Sequence, residues 1–280
     1  MKTARPARTS TVCGAPLAIF VATQAEMKPL ATALQPTGRS AYQSNSMVRV
    51  GVEGRDLLLA KTGVGPDNAE AAARRLFKEA PVAAALSLGV AGGLSPQVQT
   101  GDLIVGDRTI LRRGSGQALR PGSGQVLRGE TGSGLQSFPC DSGLQEAAIT
   151  VIRRLDGQYY LGSILTVDRI VRTPKEKRTL AAESGAVALD MESAAIASAA
   201  LAYSVPFLAI RGVLDPIHED LAIDFDRFLD AEGEPSLPRL MRYLITHPFT
   251  LPRLVGLGLR TKAVCARLGR LLHELSTTLS

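Results

Sequence analysis

The stretch VAAALSLG (Val82–Gly89) decides the fold class. It is a continuous apolar run closed by glycine, without the in–out alternation of a half-wet strand, as expected for a strand covered on both faces. Just upstream, PDNAEAAARRLFKEA opens with Pro66, which suits a helix N-terminus, and its Ala-rich face completes a helical reading. Working outward, strands are expected at LAIFVAT (Leu17–Thr23), Met47–Gly51 and DLLLAKTG (Asp56–Gly63) before it. After it come DLIVGDRTI (Asp102–Ile110), GSILTVD (Gly162–Asp168), AVALDME (Ala186–Glu192) and VPFLAIRGVLD (Val205–Asp215). Helices are expected over Gln145–Leu155, Lys175–Ser184 and Ser193–Tyr203. Strands alternating with such helices predict an α/β chain: a single-domain three-layer αβα fold with a central mixed, mainly parallel twisted sheet, plus a C-terminal helical extension.

Composition supports one such domain. The chain has 280 residues, 45% of them hydrophobic, with a formal charge of +6. No apolar run approaches the ~20 residues needed to span a bilayer. The charge is unevenly placed. From Pro235 to Ser280 stand seven basic residues (Arg239, Arg242, Arg253, Arg260, Lys262, Arg267, Arg270) against Glu274, which leaves 25 basic (32 less 7) and 25 acidic (26 less 1) elsewhere. A neutral body with a basic tail argues against nucleic acid as partner, whose footprint would cross the folded body. It points instead to an appendage that meets an anionic surface. Cys13, Cys140 and Cys265 lack paired or metal-ligand spacing, and His218, His247 and His273 form no cluster. Neither a disulfide framework nor a metal site is expected, and a reducing cytoplasm fits.

Three boundaries follow. Residues 1–14 read as a loose basic leader, 15–232 as the catalytic domain, and 233–280 as a basic amphipathic helical extension. Within the domain, 112–139 carries GSGQALR, GSGQVLR and GSGLQSF, an imperfect repeat read as a flexible insert. The alternative is a β-hairpin pairing Ala118-Leu119 with Val126-Leu127. For the tail, helices packed on the core or on another subunit compete with an interfacial helix over 236–280.

Acidic and glycine-rich sites sit where the expected strands end, the place ligands occupy in open α/β sheets. They are Glu26, the loop TGVG with Gly63 and Gly65, the loop GVAGG with Val90, Ala91 and Gly92, the trio Asp190-Met191-Glu192, and Asp215. Each has a bland alternative: Glu26 as a solvated helix residue, the glycines as tight turns, Glu192 as a helix N-terminal carboxylate, Asp215 as a turn initiator before Pro216. Glycine-loop amides also suit an anion or a ribose. Together the sites describe one convergent pocket.

TGVGPDNAEAA, SLGVAGGL with Gly101-Asp102, ALDMESAAIA and AIRGVLD follow one another as in the nucleoside phosphorylase/nucleosidase superfamily, which the chain resembles from about Leu17 to Asp226. It looks most like the methylthioadenosine/S-adenosylhomocysteine nucleosidases and, through RGVLDP and THPFTLPRLVGLGLR, like the bacterial hopanoid-associated phosphorylases. The resemblance implies cleavage of a purine N-ribosyl bond with release of adenine, from a lipid-linked nucleoside such as adenosylhopane. The alternatives are methylthioadenosine/S-adenosylhomocysteine hydrolysis, or nucleoside binding without catalysis. It implies Asp215 as the general acid at purine N7, Glu26 as the residue activating water, and Glu192 with Met191 at the ribose. Ile170 and Val171 would hold the base. No cofactor is implied, with inorganic phosphate as the one conceivable co-substrate, and a homo-oligomer in the cytoplasm, touching the inner membrane face through its tail, is expected. The sequence departs from the family pattern at Leu214, Val90 and Ile170, where a serine, a hydroxyl or thiol residue and an aromatic are common. No arginine lies in either glycine loop, while Lys28, Arg172 and Arg211 are cations whose positions the sequence leaves open. Glu26 favours water over phosphate as the nucleophile.

Overall fold

A computed structural model describes residues 14–34, 41–44, 47–112, 125–128, 134–221 and 251–279. The basic leader up to Cys13, the stretches 113–124 and 129–133 of the Gly/Ser repeat, and the first part of the tail to residue 250 lie outside the described residues.

The strands are β1 (Leu17–Val21), β2 (Ala41–Ser44), β3 (Met47–Val52), β4 (Arg55–Lys61), β5 (Ala84–Gly93), β6 (Leu103–Arg112), β7 (Gln125–Arg128), β8 (Gly134–Pro139), β9 (Tyr159–Thr166), β10 (Ala188–Asp190) and β11 (Phe207–Asp215). The helices are α1 (Gln24–Ala33), α2 (Pro66–Glu79), α3 (Ser142–Arg154), α4 (Pro174–Ser184), α5 (Ser193–Ala202) and α6 (Leu251–Thr278). All strands join one mixed sheet, as expected from the alternation. β4, β1, β5 and β11 run parallel, and so do β6, β9 and β10. The two sets meet antiparallel at β5–β10 and at β11–β6, so β5, β10, β9, β6 and β11 close a ring. β5 is the shared element: Ala84–Ser87 pair with β1, while Gly92 and Gly93 pair with β10. The helices surround the sheet, α2 against α5 and α1 and α3 against α6.

Two expectations change. The glycine stretch after Gly89 is not a turn but the second half of β5, and Gly89, Gly92 and Gly93 are absent from the positive-φ glycines. Their small size is what the strand needs, because neighbours approach closely. The 112–139 segment is also not wholly a flexible insert. β8 pairs with β6, and β7 pairs with β8 in the register Val126↔Gln136 and Leu127↔Leu135. This hairpin joins the second and third copies of the repeat, while Ala118-Leu119, the expected partner of Val126-Leu127, lies outside the described residues.

α6 divides in two. Val264, Cys265, Leu268, Leu271, Leu272 and Leu275 are buried against α1, α3 and β11, whereas Leu251, Val255 and Leu259 are exposed. The helix crosses α1 at Gly269, where a Cβ would lie 2.5 Å from the Leu30 carbonyl oxygen. Among the described residues, no helix is long and apolar enough to cross a membrane.

Candidate active site

The two parallel strand sets bring their C-terminal ends to one cavity of about 290 Å³, lined among others by Glu26, Val90, Asp190, Met191, Glu192 and Asp215. Ala91, Gly92, Ile170 and Val171 also line it, so the candidate residues from five strand ends converge there. Gly63 and Gly65 stand outside the wall, and their neighbour Val64 takes the lining position.

Glu26 combines its two readings: it is a helix residue and a buried site residue. Thr23 caps α1, its hydroxyl accepting the Glu26 N–H, while Glu26 Oε2 accepts the Thr23 N–H at 3.0 Å and its hydroxyl at 3.1 Å. This capping box puts the carboxylate at a helix N-terminus, where negative charge is favoured. Its other oxygen accepts the Val90 N–H of β5 at 3.0 Å. The remaining glycine loop works the same way. Gly63 and Gly65 adopt positive φ (79° and 98°), which turns the Gly65 N–H onto Glu192 Oε1 at 3.0 Å. The Gly65 amide of the loop and the Val90 amide of β5 are thus each bonded to a carboxylate of the chain itself.

Beneath these lies an ion pair. Arg211 on β11 is buried; its Nε donates to Asp190 Oδ2 at 2.7 Å and its Nη2 to Ser87 Oγ at 2.8 Å. Asp190 in turn accepts from the Thr166 hydroxyl at 2.6 Å and from the Ser193 N–H that opens α5. Arg211 Nη1 has no hydrogen-bond partner among the described residues and lies beside Gly89, as Glu26 Oε1 does. Burial works against the Arg211 charge, but the carboxylates of Asp190, Glu192 and Glu26 outweigh it and raise its pKa. For Glu192, burial and then the Asp190 charge push the carboxyl up to about 8. Lys28, by contrast, is exposed and away from the cavity.

Asp215 ends β11 at a register shift between Val213 and Asp215, an irregularity of the kind that re-aims a side chain. Gly92 makes room for it: a Cβ there would meet Asp215 Oδ2 at 3.3 Å. Burial raises its pKa to about 6, against the lowering pull of Lys177. Lys177 was not singled out in the sequence. It is fully buried, and its Nζ donates to Asp215 Oδ2 at 2.5 Å and to the carbonyls of Pro216 and Glu219. The available signal was a cation at i−3 from Leu180, on the buried face of α4.

The cavity wall also includes Leu221 and, from the tail helix, Leu257 and Thr261. Glu219, in the segment after β11, pairs with Arg260 between those two positions, Nη1 lying 2.8 and 3.0 Å from the two carboxylate oxygens.

With this geometry in view, the comparisons with known proteins are specific. The chain is 27% identical over 196 residues to the 5′-methylthioadenosine/S-adenosylhomocysteine nucleosidase of Geobacillus kaustophilus, covering 69% of this chain and 81% of the relative. It is 28% identical over 208 residues to the nucleosidase of the same name from Mycobacterium tuberculosis, covering 67% and 80%. The fold matches the Neisseria meningitidis nucleosidase of that name, solved with methylthio-immucillin-A, at a TM-score of 0.69 and 21% identity over 94% of this chain and 99% of that one. It also matches Helicobacter pylori futalosine hydrolase at a TM-score of 0.63 and 20% identity, over 83% and 98%. The family model described as Phosphorylase superfamily spans residues 16–245, which contain every cavity residue named above except Leu257 and Thr261: the chain belongs to the Phosphorylase superfamily.

Proposed function

We infer that the chain hydrolyses the N-ribosyl bond of a purine nucleoside and releases the base. The observation that carries this reading is the placing of Asp215 and Glu26, one protonatable and one pinned by three donors, on a single cavity that Glu192 and Met191 also line. The nucleosidase relatives support it. Asp215 passes its proton to purine N7 as the N–C1′ bond breaks and its electron pair moves to the base. Water then bonds to C1′, and Glu26 takes its proton. Glu192 accepts the ribose hydroxyls, Met191 packs beneath the sugar, and the aliphatic pair Ile170 and Val171 holds the base. The reading requires no cofactor.

Water is favoured over phosphate by the electrostatics of the glycine loops. The amides of Gly65 and Val90, donors that an anion could otherwise meet, are bonded to Glu192 and Glu26. A phosphate entering there would meet two acidic side chains in place of a cationic clamp.

For the substituent at the ribose 5′ position, the reading favours a large apolar group, with a lipid-linked nucleoside of the adenosylhopane type as its form. Leu221 and Leu257 line the cavity, and the same α6 continues outward through exposed Leu251, Val255 and Leu259. Between 251 and 273 the helix carries no acid, and its exposed Arg253, Lys262 and Arg270 suit contact with an anionic lipid surface, while Arg260 and Arg267 are engaged by Glu219 and by the carbonyls of Gly101 and Gln158.

The test is adenine release from adenosine, methylthioadenosine and a 5′-alkylated adenosine, with and without phosphate, in wild type and Asp215→Asn. Release without phosphate, reduced about 10²–10⁴-fold in the variant, is the expected result. Full activity in Asp215→Asn overturns the acid, and strict phosphate dependence overturns hydrolysis.

A further inference from the structure

Lys177 is a lysine with no exposed surface, its ammonium surrounded by oxygen atoms. Besides Asp215 Oδ2 at 2.5 Å, it reaches the carbonyl oxygens of Pro216 at 2.8 Å, Glu219 at 3.1 Å and Asp215 itself at 3.4 Å. Burying a lysine in this way is costly unless it is paired and hydrogen-bonded, and here all its acceptors lie in one seven-residue stretch of chain that ends at the cavity wall with Leu221. A salt bridge whose only purpose was stability would be matched by apolar packing. This one has the acid as its partner.

We propose that Lys177 is a positioning residue for Asp215: it holds Oδ2, leaves Oδ1 as the oxygen that carries and passes the proton, and stabilises the carboxylate formed when the proton leaves. This rests on the hydrolytic reading of the site. Oδ1 has no hydrogen-bond partner among the described residues, and Asp215 lines the cavity. Before transfer, Lys177 faces a neutral carboxyl group; after transfer it faces a full negative charge. Its interaction therefore strengthens along the reaction, which is the condition for lowering a barrier rather than merely binding. The proton moves from Asp215 to N7, and Lys177 keeps all of its own.

Burial and Lys177 pull Asp215 in opposite directions, and the balance leaves the carboxyl at about 6, where both protonation states are accessible near neutrality. The other charges acting on it are Glu219, which raises it, and Arg260 on α6, which lowers it. Glu219 also links the two, giving its carbonyl to Lys177 and its carboxylate to Arg260.

Lys177→Met keeps the length of the side chain and removes the charge. Adenine release is expected to fall on the order of 10²-fold, while release of nitrophenolate from 4-nitrophenyl riboside, which leaves without a proton, changes less than about threefold. The nitrophenyl substrate reports that the variant is folded and its ribose site intact. An equal loss on both substrates, or none on either, overturns the proposal. A second readout does not depend on turnover: the Asp215 carboxyl carbon, assigned in ¹³C NMR spectra with Asp215→Asn, should titrate at least about one pH unit higher in Lys177→Met. An unmoved titration overturns the proposal. If wild type releases no adenine from any nucleoside, it is the hydrolytic reading that falls, and the NMR titration still decides the part played by Lys177.

Discussion

Gly89 stands where the Glu26 carboxylate needs room: a Cβ at position 89 would lie 2.7 Å from Glu26 Oε1. The same atom would lie 3.2 Å from Arg211 Nη1. Glu26 cannot swing aside freely, because it is held by the Val90 N–H and by both donors of Thr23. Gly89→Ala is therefore expected to lower the rate of base release about 10–100-fold, or about 1.4–2.7 kcal/mol of barrier. Steady-state kinetics beside a melting curve check this; an unchanged rate would mean that the carboxylate is not needed where it stands.

The rate should follow the protonation of Asp215. Its pKa is raised to about 6, so the proton is held below that pH and lost above it. kcat/KM is expected to fall on the order of tenfold per pH unit above about 6. A profile flat to pH 8 would remove Asp215 as the acid.

Glu192 should tie stability to pH with a definite sign. Its folded carboxyl titrates near 8 against 4.5 for the ordinary group, so the folded state holds this proton more tightly than the unfolded one. The stability it contributes is complete below 4.5 and is lost as pH rises through 8. Glu192→Gln, always neutral, should escape this loss. Its Tm should exceed that of wild type by an amount growing on the order of 5 °C between pH 5 and 8. A constant difference across that range would contradict the assignment.

Gly269 is the contact that seats α6 on α1. A Cβ there would lie 2.5 Å from the Leu30 carbonyl oxygen and 2.7 Å from the Ala33 Cβ, atoms of a helix that cannot yield locally. Gly269→Ala should cost about 1–3 kcal/mol by overpacking. Because α1 also carries Glu26, activity should fall with stability, as calorimetry and kinetics on the same sample would show.

Membrane contact by α6 needs substitutions rather than truncation, since removing the tail would take Leu268, Leu271, Leu272 and Leu275 out of the core. Exchanging exposed Leu251, Val255 and Leu259 for serine should leave the Tm within about 2 °C, as changes at exposed positions do, and reduce cosedimentation with anionic liposomes severalfold. Equal binding by both proteins would reject the contact.

Much of this site was legible in the sequence. Strand ends are marked by glycine and acid together, so Glu26, Val90, Glu192 and Asp215 could be named before any coordinate. The wider reading of β5 was not available, because a glycine kept for close approach looks the same in sequence as one kept for a turn. The Gly/Ser repeat hides its strands similarly: Val126, Leu127 and Leu135 stand in apolar runs too short to mark strands, and β8 forms against the edge of β6, with β7 against β8.

Local pattern alone determined the alternation of strands and helices, the burial of β5 and the order of the candidate carboxylates, because periodicity records which face of each element avoids water. Only the tertiary structure decided which faces meet. Closure of the ring through β10 and β11 brings strands of opposite direction to one cavity, and packing of α4 puts Lys177 on Asp215 across 38 positions of chain. α6 likewise spans from core to cavity wall to exposed surface along one helix. Such contacts are made by side chains far apart in sequence, and no local period encodes them.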